Sequence, residues 1–204
     1  MKRNSGPVRL GLGIVSKSMP ETTENLLLPE GTFQARIQLF GGRERSELQA
    51  IYGEWRGLSN RLRAMNARAG NIPDGLSEGV FCLATGAVRL IGSITGANSS
   101  FDCYDLRKNR RIQVKSASVI PDLTSFGPRS VWDDLYFLDF YRNGKWDGTV
   151  DIYLIPDNYI YGNQVNSNQS FVQQQAQGRR PRFSIYNDII KKYGILPVMT
   201  YGLF

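Results

Sequence analysis

Phe101-Asp102-Cys103-Tyr104-Asp105 and Arg111-Ile112-Gln113-Val114-Lys115-Ser116-Ala117, joined by a turn through Leu106-Arg107-Lys108-Asn109 and then Arg110, decide how this chain is read. Apolar and polar side chains alternate in both runs and the polar cluster between them supplies a turn, so the stretch predicts a β-hairpin. Successive side chains on a strand point to opposite faces. Asp102 and Tyr104 therefore oppose Phe101, Cys103 and Asp105, while Gln113 and Lys115 oppose Ile112 and Val114. With the turn near residue 108, Asp102 lies across from Gln113 to Lys115. A carboxylate, an amide and a lysine then share one face.

Burying that trio is unfavourable unless its members pair well or have a task. Phosphodiester hydrolysis is such a task. A hard divalent cation takes oxygen ligands, which Asp102, the Gln113 side-chain carbonyl and the Val114 backbone carbonyl can offer. Such a cation acidifies a water and neutralises charge on the phosphorus transition state. Lys115 can orient or deprotonate the attacking water, or stabilise the developing charge. Asp105 is the rival to Asp102, but on the opposite face.

Outward from the hairpin, Thr32 to Phe40 alternates as a half-buried strand, and the preceding part, residues 1–31, reads as an arm or long loop. From Glu44 to Ala69, Leu48, Ile51, Trp55, Leu58, Leu62 and Met65 recur at steps of three and four, which predicts a helix with those residues in the core. Arg56, Arg61, Arg63 and Arg68 fall off the stripe, as a basic face that phosphates could meet. Asn71 to Gly75 breaks the helix. A second is expected from Leu76 to about Leu90, with Ser77 as N-cap and Glu78 in the first turn. Ser130 to Leu135 reads as a short helix, and Tyr136 to Tyr141 and Gly148 to Ile155 as strands. The apolar run Leu135-Tyr136-Phe137-Leu138 suits a sheet covered on both faces. Residues 156–182 form a polar tract, read as a DNA-recognition loop, and Ser184 to Tyr193 a last helix. The pairs Pro73-Asp74, Pro121-Asp122 and Pro156-Asp157 are taken as turn chemistry.

At 204 residues and 41% hydrophobic, the chain suits one domain. Twenty-five Lys and Arg against 18 Asp and Glu leave a net charge of +7, which favours a polyanionic partner. The absence of histidine removes Ser-His-Asp and Cys-His catalysis, histidine-metal nucleases and phospholipase-D-like phosphodiesterases. Cys82 and Cys103 read as reduced core thiols rather than zinc ligands. No apolar run approaches the ~20 residues of a membrane span, and Met1 to Pro7 lacks a signal peptide's apolar stretch. A cytoplasmic location is expected.

Asp102, ten intervening residues, then Gln113-Val114-Lys115-Ser116-Ala117-Ser118 resembles the PD-(D/E)XK nuclease superfamily, and more narrowly its type II restriction endonucleases. Asn71 to Glu78 resembles the segment that brings a helical glutamate to the site in several of these enzymes. Ser125-Phe126-Gly127-Pro128 with Tyr136 to Phe140, and Arg179 to Ser184, resemble later elements. The resemblance covers residues 71–184. It implies an α/β (α+β) restriction-endonuclease-like core, a central mixed β-sheet flanked by helices. It also implies Mg2+-dependent hydrolysis of double-stranded DNA at a short specific site, 5′-phosphate ends and a homodimer. Gln113 departs from the pattern, which has Asp or Glu there; the missing charge makes Glu78 the expected additional metal ligand beside Asp102, Gln113 and Val114. Base or phosphate contacts are expected from Asn163, Gln173, Arg179, Arg180 and Arg182, with Arg61 and Arg68 of the first helix. Two other readings stand beside this one: a non-catalytic DNA-binding protein in which Asp102 merely pairs with Lys115, and a repair or junction nuclease of the same fold.

Overall fold

The computed structural model describes residues 19–204. Its centre is an eight-stranded sheet in the order β1-β2-β3-β4-β5-β7-β8-β12. The strands are β1 Glu21–Leu28, β2 Gly31–Gln38, β3 Val88–Leu90, β4 Cys103–Asp105, β5 Arg110–Ala117, β7 Asp134–Asp139, β8 Thr149–Ile155 and β12 Met199–Gly202. β5 and β7 run parallel and the other pairs antiparallel, so the sheet is mixed as expected. Two short ribbons accompany it, β9 Gln164–Asn166 with β10 Gln169–Ser170, and β6 Thr124–Ser125 with β11 Arg182–Phe183.

The hairpin forms in the anticipated register, with Cys103 opposite Ile112 and Asp105 opposite Arg110. The parallel step from β5 to β7 requires a crossover, and residues 118–133 provide it without the short helix expected at Ser130 to Leu135. Two ion pairs hold that segment extended: Arg111 binds Asp133 at 2.8 Å and Arg110 binds Asp134 at 2.6 Å.

One face of the sheet carries α1 Gly42–Ala64 and α2 Asp74–Thr85. Leu48, Tyr52, Trp55, Leu76, Val80 and Phe81 pack there on Cys103, Ile112, Val114, Leu138 and Ile152. On the other face, Ala35, Ile37, Val88 and Tyr104 belong to one cluster, and Leu135, Phe137, Tyr153, Phe126, Phe171 and Ile189 to another. The second cluster draws on α3 Asp157–Tyr161, α4 Phe171–Ala176 and a π-helical segment, Tyr186–Lys191. The run 135–138 is thus covered on both sides, as its composition requires.

Four expectations are corrected. Residues 21–28 of the supposed arm form β1, an edge strand with Leu26 and Leu28 buried and Glu21 to Asn25 largely outward; residues 1–18 of that arm lie outside the described residues. The buried stripe of α1 is Leu48, Tyr52, Trp55 and Ser59, while Leu58 and Met65 are exposed. The Trp55 indole donates to the carbonyls of Gly70 and Asn71, which ties this face of α1 to the following loop. α2 begins at Asp74 behind Pro73, so Ser77 and Glu78 sit in its second turn, and it ends at Gly86, whose φ of 77° suits a left-handed C-cap. Residues 88–90 are a strand. Finally, the tract 156–182 is folded rather than an open loop.

Candidate active site

Asp102 lies just before β4 but is already held by the sheet: its N–H donates to Ile112 O at 3.0 Å and its carbonyl accepts from Leu90 N at 2.9 Å. Its Oδ2 accepts from the backbone N–H of Val114 at 2.8 Å and from the Gln113 side-chain amide. Lys115, one residue further, is half-buried beside them, its ammonium 5.7 Å from the centre of the Phe126 ring. Burial pushes the Asp102 carboxyl up, and the positive charge of Lys115 opposes that shift most strongly among its neighbours. The hairpin therefore brings together the three residues that the sequence singled out.

Glu78 reaches the same place from α2. Its neighbour Gly79 permits the approach, since a Cβ there would lie 2.8 Å from Phe40 and 2.9 Å from Leu48. Burial, and then the charge of Asp102, push the Glu78 carboxyl up to about 7. Its Oε2 accepts from Arg89 Nε at 2.5 Å. Arg89 escaped sequence reasoning, because the run through Leu90 was assigned to a helix. The signal was present: Val88-Arg89-Leu90 places one charge between two apolar residues, a strand pattern.

These groups open on a cleft of about 450 Å³. Asp102, Val114, Lys115 and Ser116 line it, with Arg68, Asp74 and Glu78 from the α1–α2 side and Pro121 to Ser125, Arg180 and Arg182 from the other. Asp74, read as turn chemistry, also faces this space, and its charge raises both Glu78 and Asp102. Asp122 has a different use. It accepts from Ser184 Oγ at 2.6 Å, Thr124 Oγ1 at 2.6 Å, and the N–H groups of Ile185 and Tyr186 at 3.0 Å each. It thereby fastens the crossover to the start of the last helix and fixes the wall that bears Arg182. Asp105 is engaged in its own turn, accepting from Arg107 N and Lys108 N.

Among the described residues no cluster of three His, Cys, Asp or Glu has the arrangement of a metal centre. The oxygen chemistry nevertheless fits a hard cation. Glu78 and Asp102 are two half-buried carboxylates, the charge of Asp102 pushes the Glu78 carboxyl up, and the amide of Gln113, itself 3% exposed, is directed at Asp102. A carboxylate pair with a neutral amide is a donor set for Mg2+ or a similar ion.

The expected DNA contacts divide. Arg61, Arg68, Arg179, Arg180 and Arg182 are exposed, and three of them, Arg68, Arg180 and Arg182, rim the cleft. Arg56 and Arg63 are spent on the protein itself: Arg56 donates to Trp146 O, and Arg63 stacks over the Trp146 ring at 3.9 Å. Asn163 is buried and its Nδ2 has no hydrogen-bond partner among the described residues, so its amide is not offered to a base. Gln173 is exposed, but its Oε1 accepts from Ser170 N in a capping box at the start of α4. The Gln169 side chain donates to Gln177 Oε1 and accepts from Gln174 and Arg179.

Comparison with known proteins decides the family. The family model described as Bsp6I restriction endonuclease matches residues 40–192. The chain belongs to the Bsp6I restriction endonuclease family. The type II restriction enzyme Bsp6I of Bacillus sp. (strain RFL6) is 35% identical over 150 residues, which cover 72% of this chain and 81% of that relative. No solved structure matches. The span matched by the Bsp6I family takes in α1, α2, the hairpin, the crossover and the arginine wall. No helix among the described residues is long and apolar enough to cross a membrane.

Proposed function

We propose that this chain is a Mg2+-dependent type II restriction endonuclease that cuts double-stranded DNA at a short specific site and leaves 5′-phosphate ends. The observation that carries the reading is the meeting of Asp102, Glu78 and Lys115 in one arginine-rimmed cleft, with the buried Gln113 amide bonded to Asp102 behind it, in a chain of the Bsp6I family.

Asp102 and Glu78 would hold the cation, with the Val114 carbonyl and the oxygen of Gln113. The Gln113 amide is nearly symmetric in shape, so a half-turn about its last torsion exchanges nitrogen for oxygen at the same position. When bound, the cation supplies positive charge to the reacting phosphate and makes a nearby water more acidic. Lys115 donates to a non-bridging phosphate oxygen or to the attacking water, and its charge matches the transition state better than the ground state. Arg68, Arg180 and Arg182 neutralise flanking phosphates and fix the strand in the cleft. A twofold homodimer acting in the cytoplasm would give one site per strand of a palindromic sequence.

The test is digestion of a fully sequenced phage genome with Mg2+, reading every fragment end. Cuts at one recurrent short sequence with 5′-phosphates are expected. Lys115→Ala should lower cleavage about 1000-fold while DNA binding is retained; full activity in that variant overturns the assignment. Tight binding without cleavage in Mg2+ or Mn2+ would instead favour a non-catalytic binding protein, and preference for branched DNA a junction nuclease. Arg180→Ala and Arg182→Ala should weaken binding to every sequence alike and each reduce the salt slope by about one.

A further inference from the structure

Arg89 lies outside the residues that line the cleft, yet it is bonded to one of the carboxylates that meet there, Glu78, and its charge lowers the other, Asp102. Its place follows from register: Val88 and Leu90 are buried in the cluster on the far face of the sheet, so Arg89 points to the face that α2 covers. It is paired with Cys103, the residue after Asp102, while Leu90 N–H donates to the Asp102 carbonyl at 2.9 Å. The guanidinium is fixed at two points. Nε donates to Glu78 Oε2 at 2.5 Å and Nη1 donates to Gln38 Oε1 at 2.9 Å. The ion pair is mostly withdrawn from solvent, with the side chain of Glu78 12% exposed and that of Arg89 29%. No hydrogen bond to Glu78 Oε1 occurs among the described residues, and Glu78 lines the cleft.

We propose that Arg89 is a positioning residue that grips one oxygen of Glu78 from outside the cleft and so presents the other to the metal. The inference rests on the reading of Glu78 as a metal-binding carboxylate. A planar, doubly anchored guanidinium fixes both the place and the plane of the carboxylate it binds, which a lysine ammonium does not. A glutamate without that grip turns about three side-chain torsions, and the cation must then order it at the moment of binding. Partners that orient metal ligands typically contribute 10–100-fold to metal affinity. The anchor on Gln38 extends the chain of contacts across β3 to β2, so the orientation of Glu78 depends on the sheet as well as on its own helix.

The test is Mn2+ binding to the DNA-free protein, followed by the electron paramagnetic resonance signal of free Mn2+. Wild type, Arg89→Gln, Arg89→Lys, Glu78→Gln and the Arg89→Gln/Glu78→Gln double variant are compared. Arg89→Gln should weaken binding about tenfold or more, and Arg89→Lys by a smaller factor because charge without the fork is a partial substitute. The double variant should bind like Glu78→Gln alone, since Arg89 acts through that side chain. A purely structural ion pair would lower the melting temperature while leaving Mn2+ affinity unchanged, and that result overturns the proposal. So do additive losses in the double variant. If Glu78→Gln weakens binding and Arg89→Gln does not, only the role of Arg89 falls. If Glu78→Gln binds like wild type while Asp102→Ala does not bind, Glu78 leaves the site and Arg89 with it. Should Arg89→Gln fail to fold by circular dichroism, Arg89→Lys carries the test, and wild-type affinity there overturns the proposal.

Discussion

Two pairs of acidic side chains are withdrawn from water in this molecule, and they are completed in different ways. Asp139 and Asp151 face each other across β7 and β8, both buried. The protein supplies their partners: Tyr141 N–H on Asp139 at 2.8 Å, and Arg142 Nε at 2.9 Å and Thr200 Oγ1 at 2.5 Å on Asp151. Glu78 and Asp102 also receive donors, but they open on the cleft beside Lys115. Burial raises a carboxyl in each pair, Asp139 to about 6 and Glu78 to about 7. A raised carboxylate alone therefore does not mark chemistry. What separates the pairs is space for a cation and a rim of arginines.

The sharpest way to break that distinction is to neutralise one member of each pair. Asp102→Asn should lower plasmid cleavage about 1000-fold, whereas Asp139→Asn should leave it within a few-fold; equal losses would erase the difference. The second pair should respond in stability instead. Asp139 in the folded protein titrates at about 6, above its ordinary 3.8, so folding takes up a proton between those values. Wild-type stability then falls as pH rises through that window, and Asp139→Asn removes the dependence. Denaturant titration at pH 7 should find the variant more stable by up to about 3 kcal/mol, with the gain vanishing below pH 4. A smaller effect sharpens the comparison from the other side. With Glu78 as the proposed metal ligand, protons and cations would compete for it, so Mg2+ should raise the melting temperature by a few degrees at pH 8 and little at pH 5.5. Glu78→Gln should flatten that pH dependence, and Asp139→Asn should leave it intact.

The floor of the site and the residues Glu78, Arg68, Arg180 and Arg182 of its walls were legible in the sequence, while the elements that carry them were legible only in part, for physical reasons. The period-two alternation of Phe101 to Asp105 and Arg111 to Ala117 fixes a hairpin and which residues meet across it, a local property. Glu78 was placed near the site, but its helix was phased from Ser77 when Pro73 and Asp74 begin it. β1 was missed because an edge strand can be polar along most of its length, as Glu21 to Asn25 is. The stripe of α1 was misplaced because Leu58 and Met65 fit a helical period while Ser59, not an apolar residue, occupies the buried position. The glutamine-rich tract looked like a set of base readers. Its amides are largely consumed by capping and by one another, a contest between internal and external partners that composition does not report. Asp122 is the same lesson for carboxylates: its four hydrogen bonds come from residues 124 and 184–186.

That last anchor bears on the order in which the protein is made. Chains emerge from the ribosome from the N-terminus and fold by units as they appear. Residues 68–125 furnish the carboxylates, the lysine and one wall of the cleft, but Arg180 and Arg182 are held in place only when β11 pairs with β6 and the turn at Ser184 closes on Asp122. A nascent chain would therefore carry Asp102 and Lys115, the proposed reacting groups, before Arg180 and Arg182 join Arg68 at the rim.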